Sequence, residues 1–258
     1  MVKPNMNWLE LDITYVCGMD CVNCNRMTSI APGRPEENVT IEQIEKLIEE
    51  SIRLQYPWKA WFLVGGEPTT HPDLDAIISR IGEYRDTHNR SLDLTLATHG
   101  HGEHTRRRLA EVTTAFPFLH VLNSHKQGNT HPDFVAPCVA MVDLDPAWAA
   151  THRFEGCSVS GHCGLSLNYK GFFPCAVAGA IDRIFRLNQA IQDLDDVSEA
   201  AIVEKYQVFC RYCGYYRPIR ENSQTLLSPT WQEALRKPQF EGFRDTPNLS
   251  AKRTPVAG

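Results

Sequence analysis

The chain has 258 residues, 42% of them apolar and 22% charged, with 26 Lys and Arg against 31 Asp and Glu for a net charge of −5. That composition excludes wholesale disorder, collagen-like repetition and a coiled coil, and suits one soluble domain with a modest appendage. The mild acidity gives no reason to expect nucleic acid, no apolar run approaches the roughly 18 to 20 residues of a membrane span, and the first eleven residues lack the pattern of a signal peptide, so a cytoplasmic protein is expected.

In chain order, Trp8 to Thr14 alternates apolar and polar residues and predicts a strand that delivers a cysteine-bearing loop. That loop reads Cys17-Gly-Met-Asp-Cys21-Val-Asn-Cys24. The nine cysteines are odd in number and lack the small secreted setting of a disulfide framework, which points to metal or cluster ligation. Three thiolates so close together suit three irons of a cubane, leaving the fourth iron open to a small-molecule ligand. A zinc knuckle or inert buried thiols are the alternatives.

Thr40 to Leu54 predicts a helix, with Thr40 and Gln43 as a capping box and Ile41, Ile44, Leu47, Ile48 and Ile52 as its buried stripe. Lys59 to Val64 is a compact apolar strand halted by Gly65-Gly66-Glu67-Pro68. The glycines permit close backbone approach, and a carboxylate there can receive an ammonium group. A helix at 73–87, a strand at 92–98, a helix at 104–115 and strands near 119–124 and 139–144 continue the rhythm. Alternating strands and helices imply right-handed crossovers and a parallel sheet, open or curled, with function at the carboxyl ends of the strands. Thr98-His99-Gly100 and Asn123-Ser124 stand at two such ends. His99, His101 and His104 predict a loop at the mouth of the site in preference to a metal centre.

The rhythm breaks near residue 150, giving expected units of 1–150, 151–220 and a polar extension at 221–258. Leu165 to Pro174 predicts a hairpin turning at Lys170-Gly171, and Val197 to Val208 a helix leading into Cys210-x-x-Cys213. With Cys157, Cys163 and Cys175 this unit holds five thiols, more than packing requires. A zinc ribbon is one reading of them. Cys138 beside an apolar strand reads as core, the Ala178–Arg183 run as a cover for the neighbouring thiols, and Arg217 and Arg220 as solvated basic surface.

The spacing of Cys17, Cys21 and Cys24 after a first strand, with Gly65-Gly66-Glu67-Pro68 after the second, resembles the radical S-adenosylmethionine (SAM) superfamily. The resemblance implies an α/β fold, a partial (β/α) TIM-like barrel of about five to six parallel strands. It implies a 4Fe–4S cluster on the three cysteines, with the methionine end of SAM on the open iron and against Gly65 to Pro68. Asn23 occupies a position often aromatic in the family, where an amide can hydrogen-bond adenine. Thr98, Asn123 and Ser124 are further implied cofactor contacts.

The second cysteine group, with Gly171 ahead of Cys175, resembles the twitch or SPASM extension and implies an auxiliary 4Fe–4S cluster on Cys157, Cys175, Cys210 and Cys213, with Cys163 as the rival of Cys157. The implied activity is reductive SAM cleavage to a 5′-deoxyadenosyl radical and hydrogen abstraction from a small-molecule substrate, fed by an electron donor such as flavodoxin or ferredoxin. One barrel with one auxiliary set is similar to the alcohol-oxidising aminocyclitol dehydrogenases, the 2-deoxy-scyllo-inosamine dehydrogenase type. A maturase of ribosomal peptides and a non-catalytic zinc- or cluster-binding module are the alternatives.

Overall fold

The computed structural model describes residues 1–127, 135–219 and 226–236. Six strands form one sheet in the order β4-β3-β2-β1-β5-β6: β1 Trp8–Thr14, β2 Ala60–Gly65, β3 Asp93–Thr98, β4 His120–Asn123, β5 Leu165–Asn168 and β6 Gly171–Phe173. The first five run parallel, and β6 is antiparallel to β5. Helices α1 (Ile41–Arg53), α2 (Leu74–His88) and α3 (Glu103–Ala115) make the crossovers between the first four strands. This is the α/β architecture with the mostly parallel sheet that the alternating pattern predicts.

Alternation decides which side chains meet those helices. Leu9, Leu11 and Ile13 of β1, Trp61 and Leu63 of β2, Leu94 and Leu96 of β3, and Leu165 and Leu167 of β5 join Ile44, Leu47, Ile48, Ile77, Ile78 and Ile81 in one buried core. Period two sends the intervening residues to the opposite face. There stand Glu10, Asp12 and Thr14, then Phe62 and Val64, and on β5 Ser166 and Asn168. The predicted capping box starts α1, with the Gln43 amide donating to Thr40 Oγ1 at 3.3 Å and the Thr40 amide to Gln43 Oε1 at 3.0 Å.

The expected strand at 139–144 is a single helical turn, α4 (Met141–Leu144), followed by α5 (Pro146–Thr151). So short an apolar run carries no readable period. The Leu144 amide closes the turn on Ala140 O at 3.2 Å, and Asp143 accepts from the amide and hydroxyl of Thr230 at 2.9 and 2.7 Å, an attachment that sequence distance conceals. Beyond it come α6 (Ser158–His162), the β5–β6 hairpin, α7 (Ala176–Phe185), α8 (Glu199–Phe209) and α9 (Pro229–Leu235). The hairpin forms where predicted, but it continues the main sheet, because β5 pairs in parallel with β1 from Leu9↔Leu165 to Leu11↔Leu167. Arg220 and the expected 221–258 extension, apart from 226–236, fall outside the described residues. No helix among the described residues is long and apolar enough to cross a membrane.

Two acids on β1 lie on the face away from the helices. Asp12 is fully buried, and burial lifts its carboxyl to about 6 against the attraction of Arg26. The folded chain therefore holds this proton more tightly than the unfolded one, whose ordinary value is 3.8. Stability from this group is full below pH 4 and declines as pH rises towards 6, by about 3 kcal/mol. Asp12→Asn is expected to shrink the difference in urea-unfolding free energy between pH 4 and pH 7 by that order, and an unchanged profile would contradict the assignment.

Candidate active site

The strand β1 ends at Thr14, and the loop after it is folded by its own backbone. The Cys24 amide donates to Cys21 O at 3.3 Å, Met27 to Cys24 O at 3.0 Å and Ala31 to Met27 O at 2.8 Å. Asn23 and Met27 sit in the left-handed region, at φ 55° and 57°. Asn suits that conformation better than most side chains. Arg26 pins the loop to the strand below, donating through Nη2 to Glu10 Oε2 at 2.6 Å and through Nε to Asp12 Oδ1 at 3.0 Å. The Tyr15 hydroxyl donates to Asp12 Oδ2 at 3.2 Å and accepts from Asn168 Nδ2 at 3.0 Å, so β5 joins the same network.

This scaffold brings Cys17, Cys21 and Cys24 together. Cys21 is buried and the other two are half-buried. Burial pushes the Cys17 thiol up to about 11, with the charges of Cys24, Glu67 and Cys21 adding to the rise while the Met19 amide, 3.4 Å from Sγ, opposes it. Burial raises Cys21 as well, against the ammonium of Lys126, whose Nζ lies 3.5 Å from Cys21 Sγ. Cys24 Sγ lies 3.3 Å from Thr28 Oγ1. Three neighbouring thiols whose charges repel one another once ionised form a set that a cationic metal centre would compensate, and N–H donors at the sulfurs are the outer support such a centre uses. Among the described residues, no group of three or more His, Cys, Asp and Glu gathers tightly enough for a single ion. Three thiols on one loop, with the Met19 amide at one sulfur and the Lys126 ammonium at another, are a donor set of the chemistry that an iron–sulfur cluster takes.

Gly65 to Pro68 packs directly against this loop. The Gly66 amide donates to Thr14 O at 2.7 Å and the Glu67 amide to Val16 O at 2.8 Å. A Cβ at Gly65, where φ is 124°, would stand 2.1 Å from Thr14 O, and one at Gly66 would stand 2.3 Å from Val16 O. The glycines are therefore required by the seam between the two strand ends.

Glu67 ties the ends of β2 and β3 together. Its carboxylate is fully buried and accepts from Thr69 N at 3.2 Å, Thr69 Oγ1 at 2.8 Å, Thr98 Oγ1 at 2.8 Å and His99 N at 3.0 Å. A buried carboxylate must be satisfied in this way. Thr98 is occupied as well, since its Oγ1 also accepts from the Gly100 amide at 3.1 Å. The Ser124 amide and hydroxyl both donate to Thr98 O, at 3.0 and 3.1 Å, and Asn123 Oδ1 accepts from the His125 amide at 2.8 Å. His99 is buried, 3.3 Å from Glu67 Oε2 through Nε2, with burial lowering its basicity against the pull of Glu67, whereas His101 and His104 are exposed.

The second cysteine set is divided by the fold. Cys157, Cys175, Cys210 and Cys213 line one small apolar pocket together with Ala178, Ile181, Tyr206 and Phe209. Burial raises the Cys175 and Cys210 thiols, and the neighbouring thiols of the set raise them further. Cys163 does not line this cavity. It turns to Glu10, which with burial pushes its thiol up to about 11. Cys138 is buried, as expected, in a separate apolar cluster with Tyr15, Phe209 and Trp231. Arg217 lies over the Trp148 ring, 5.2 Å from its centroid.

Arg26, Glu10, Asp12 and Lys126 were not among the expected site residues. Two acids at alternate positions of an apolar strand were a signal for a polar inner face, and Arg26 stands two residues past Cys24. Lys126 meets Cys21 across 105 positions with no local mark.

Residues 11–121 match the Radical SAM superfamily model, a span holding both the cysteine loop and Gly65 to Pro68. Two curated proteins of Pyrococcus abyssi and Pyrococcus horikoshii, each named "Probable GTP 3′,8-cyclase", are 33% identical over 98 residues, 38% of this chain and 28% of each relative. The match thus spans little more than a quarter of those relatives. Among solved structures, BtrN in an open conformation aligns over 81% of this chain and 87% of its own, at 14% identity and a TM-score of 0.43. BtrN in complex with AdoMet and 2-DOIA aligns over 80% and 85%, at 14% identity and a TM-score of 0.46.

Proposed function

We propose that this chain is a radical SAM enzyme in which Cys17, Cys21 and Cys24 hold a 4Fe–4S cluster beside Gly65-Gly66-Glu67-Pro68. The observation that carries this reading is the seam itself: three mutually repelling thiols after β1, locked by two backbone bonds to the glycine turn after β2. When bound, the reduced cluster and SAM supply reductive cleavage to a 5′-deoxyadenosyl radical that takes hydrogen from the substrate. The chain's residues bind and exclude. The three thiolates ligate iron, Lys126 offsets negative charge at Cys21, and Glu67 holds the ends of β2 and β3 at a fixed separation. With Glu67 turned inward, the turn's backbone is what it offers to a methionine ammonium. Asn23, Thr98, Asn123 and Ser124 are proposed further contacts to the cofactor.

Cys157, Cys175, Cys210 and Cys213 are proposed ligands of an auxiliary 4Fe–4S cluster, because they share a cavity from which Cys163 is absent. An auxiliary cluster can accept an electron after hydrogen abstraction, which makes net oxidation the natural outcome. The substrate class proposed with it is an aminocyclitol or sugar-like alcohol, with flavodoxin or ferredoxin as donor. The proposed units remain a barrel at 1–150 and a twitch-type unit at 151–220, joined by the β5–β6 hairpin.

The test is 5′-deoxyadenosine formation from SAM by anaerobically reconstituted protein with dithionite, followed by deuterium transfer from labelled aminocyclitols, sugars and peptides. Absence of 5′-deoxyadenosine from iron-loaded protein would refute the reading. Cys210→Ala is expected to lower iron by about four atoms per chain, one cubane's complement, while SAM cleavage persists. Equal iron in that variant and the wild type would remove Cys210 from the ligand set.

A further inference from the structure

The face of the sheet turned away from α1, α2 and α3 is closed at one side and open at the other. Over β5 and β6 it is covered by α7, whose Gly179 comes so near that an added Cβ would stand 2.9 Å from Asn168 Nδ2 and 3.3 Å from Phe173 Cδ2. Over β2 and β3 burial is incomplete: Phe62, Val64, Thr95 and Ala97 stay partly exposed, while Trp61, Leu63, Leu94 and Leu96 between them are buried on the helix side. Trp8 is exposed at the foot of this open part, with its ring 5.6 Å from that of Phe62.

Glu10 stands at the boundary between the two parts. Register places it beside Phe62 of β2, itself beside Thr95 of β3, and on its other flank beside Ser166 of β5. The half-buried carboxylate accepts from Arg26 Nη2 at 2.6 Å and from the Cys163 thiol, and a carboxylate has about four acceptor positions, so capacity remains. Arg26 also serves Asp12, and among the described residues it is the cation that pairs with either acid. Two carboxylates thus share one guanidinium. Ser166 is fully buried on the same face, and its hydroxyl has no hydrogen-bond partner, a vacancy that native interiors seldom leave.

We infer that Glu10 binds the ammonium group of a small cationic substrate on this open face, with Trp8 and Phe62 as the wall against which the carbon frame lies. The ammonium offsets the second carboxylate, supplies a polar partner next to Ser166, and lies beside aromatic rings, which also attract cations. Arg26 joins this place to the cysteine loop, two residues beyond Cys24. The inference rests on the radical SAM reading for the chemistry that follows binding, whereas the binding itself needs no reductant.

The test is calorimetric titration of the full-length, anaerobically reconstituted protein at neutral pH and low ionic strength with scyllo-inosamine and with scyllo-inositol, which differ by an ammonium in place of one hydroxyl. Wild-type protein is expected to bind the amine at least about tenfold more tightly, the scale of one charge-assisted contact. Glu10→Gln should weaken amine binding to the level of the inositol and leave the inositol unchanged. Thr95→Lys, which adds an ammonium to the open face at a half-buried position, should weaken the amine by about tenfold and spare the inositol. Circular dichroism checks each fold, and because Glu10 also holds Arg26, Thr95→Lys carries the test if Glu10→Gln does not fold. No saturable binding of the amine, equal binding of the two compounds by wild-type protein, or a preference that survives in either folded variant would overturn the inference. Formation of 5′-deoxyadenosine without any preference for the amine refutes this inference alone, and a preference without 5′-deoxyadenosine refutes the radical SAM reading alone.

Discussion

Cys17→Ala is expected to abolish 5′-deoxyadenosine formation and to remove the signal of one reduced cubane from the electron paramagnetic resonance spectrum, with about four irons lost per chain. The physical ground is ligand count. With Cys21 and Cys24 alone, two irons of the cubane lack a thiolate, and the remaining bonds must hold a cluster whose coupling to the chain has fallen by a third. The fold is not at risk in this variant. Cys17 is half-buried, and its sulfur meets the Met19 amide in a loop already held by Arg26 and by Gly66. Loss of activity with unchanged circular dichroism is thus the expected pair of results. Turnover at the wild-type rate in Cys17→Ala would sink the site assignment.

Glu67→Gln carries the second large effect, and it separates an inward role from a ligand-facing one. The side chains are nearly the same size, so no cavity forms. The carboxylate now accepts two bonds from Thr69 and one each from Thr98 and the His99 amide. An amide offers one oxygen to that set and places an NH₂ against donors, leaving buried donors unsatisfied. The expected loss is about 3 kcal/mol of unfolding free energy, the scale for breaking charge-assisted buried hydrogen bonds. It should be measured by urea denaturation at pH 7. SAM affinity, measured by equilibrium dialysis on reconstituted protein, should fall as well, because the turn and the end of β3 lose their common anchor. A variant as stable as the wild type, with SAM affinity alone reduced, would instead mean that the carboxylate meets the cofactor directly.

The contrast between these two residues marks what the sequence made legible. The cysteine spacing and the glycine turn were readable because each motif is local and each residue type has a specific chemistry. The alternation of β1, the capping box of Thr40 and Gln43, and the hairpin near Lys170 were readable for the same reason. The orientation of Glu67 was not, because Thr98 and His99, which decide it, arrive from another strand 31 and 32 residues later. Residues 139–144 went astray because a short apolar run has no period, and the group that fixes Asp143 lies 87 positions away. The choice between Cys157 and Cys163 also required three dimensions. Cys157 and Cys163 lie 18 and 12 positions before Cys175, and they occupy opposite ends of α6, one at the cavity and the other against Glu10.

The parallel pairing of β5 with β1 sets the two thiol groups on a shared frame. One group hangs from the end of β1, and the other brackets a hairpin, Cys157 before β5 and Cys175 after β6, whose first strand is stitched to β1 residue by residue. A flexible tether would let their separation wander, and tunnelling rates with it. A ladder of backbone bonds permits no such drift, so any charge passed between the two groups crosses a gap determined by strand register. Such a transfer should be indifferent to solvent viscosity, unlike one gated by swinging lobes.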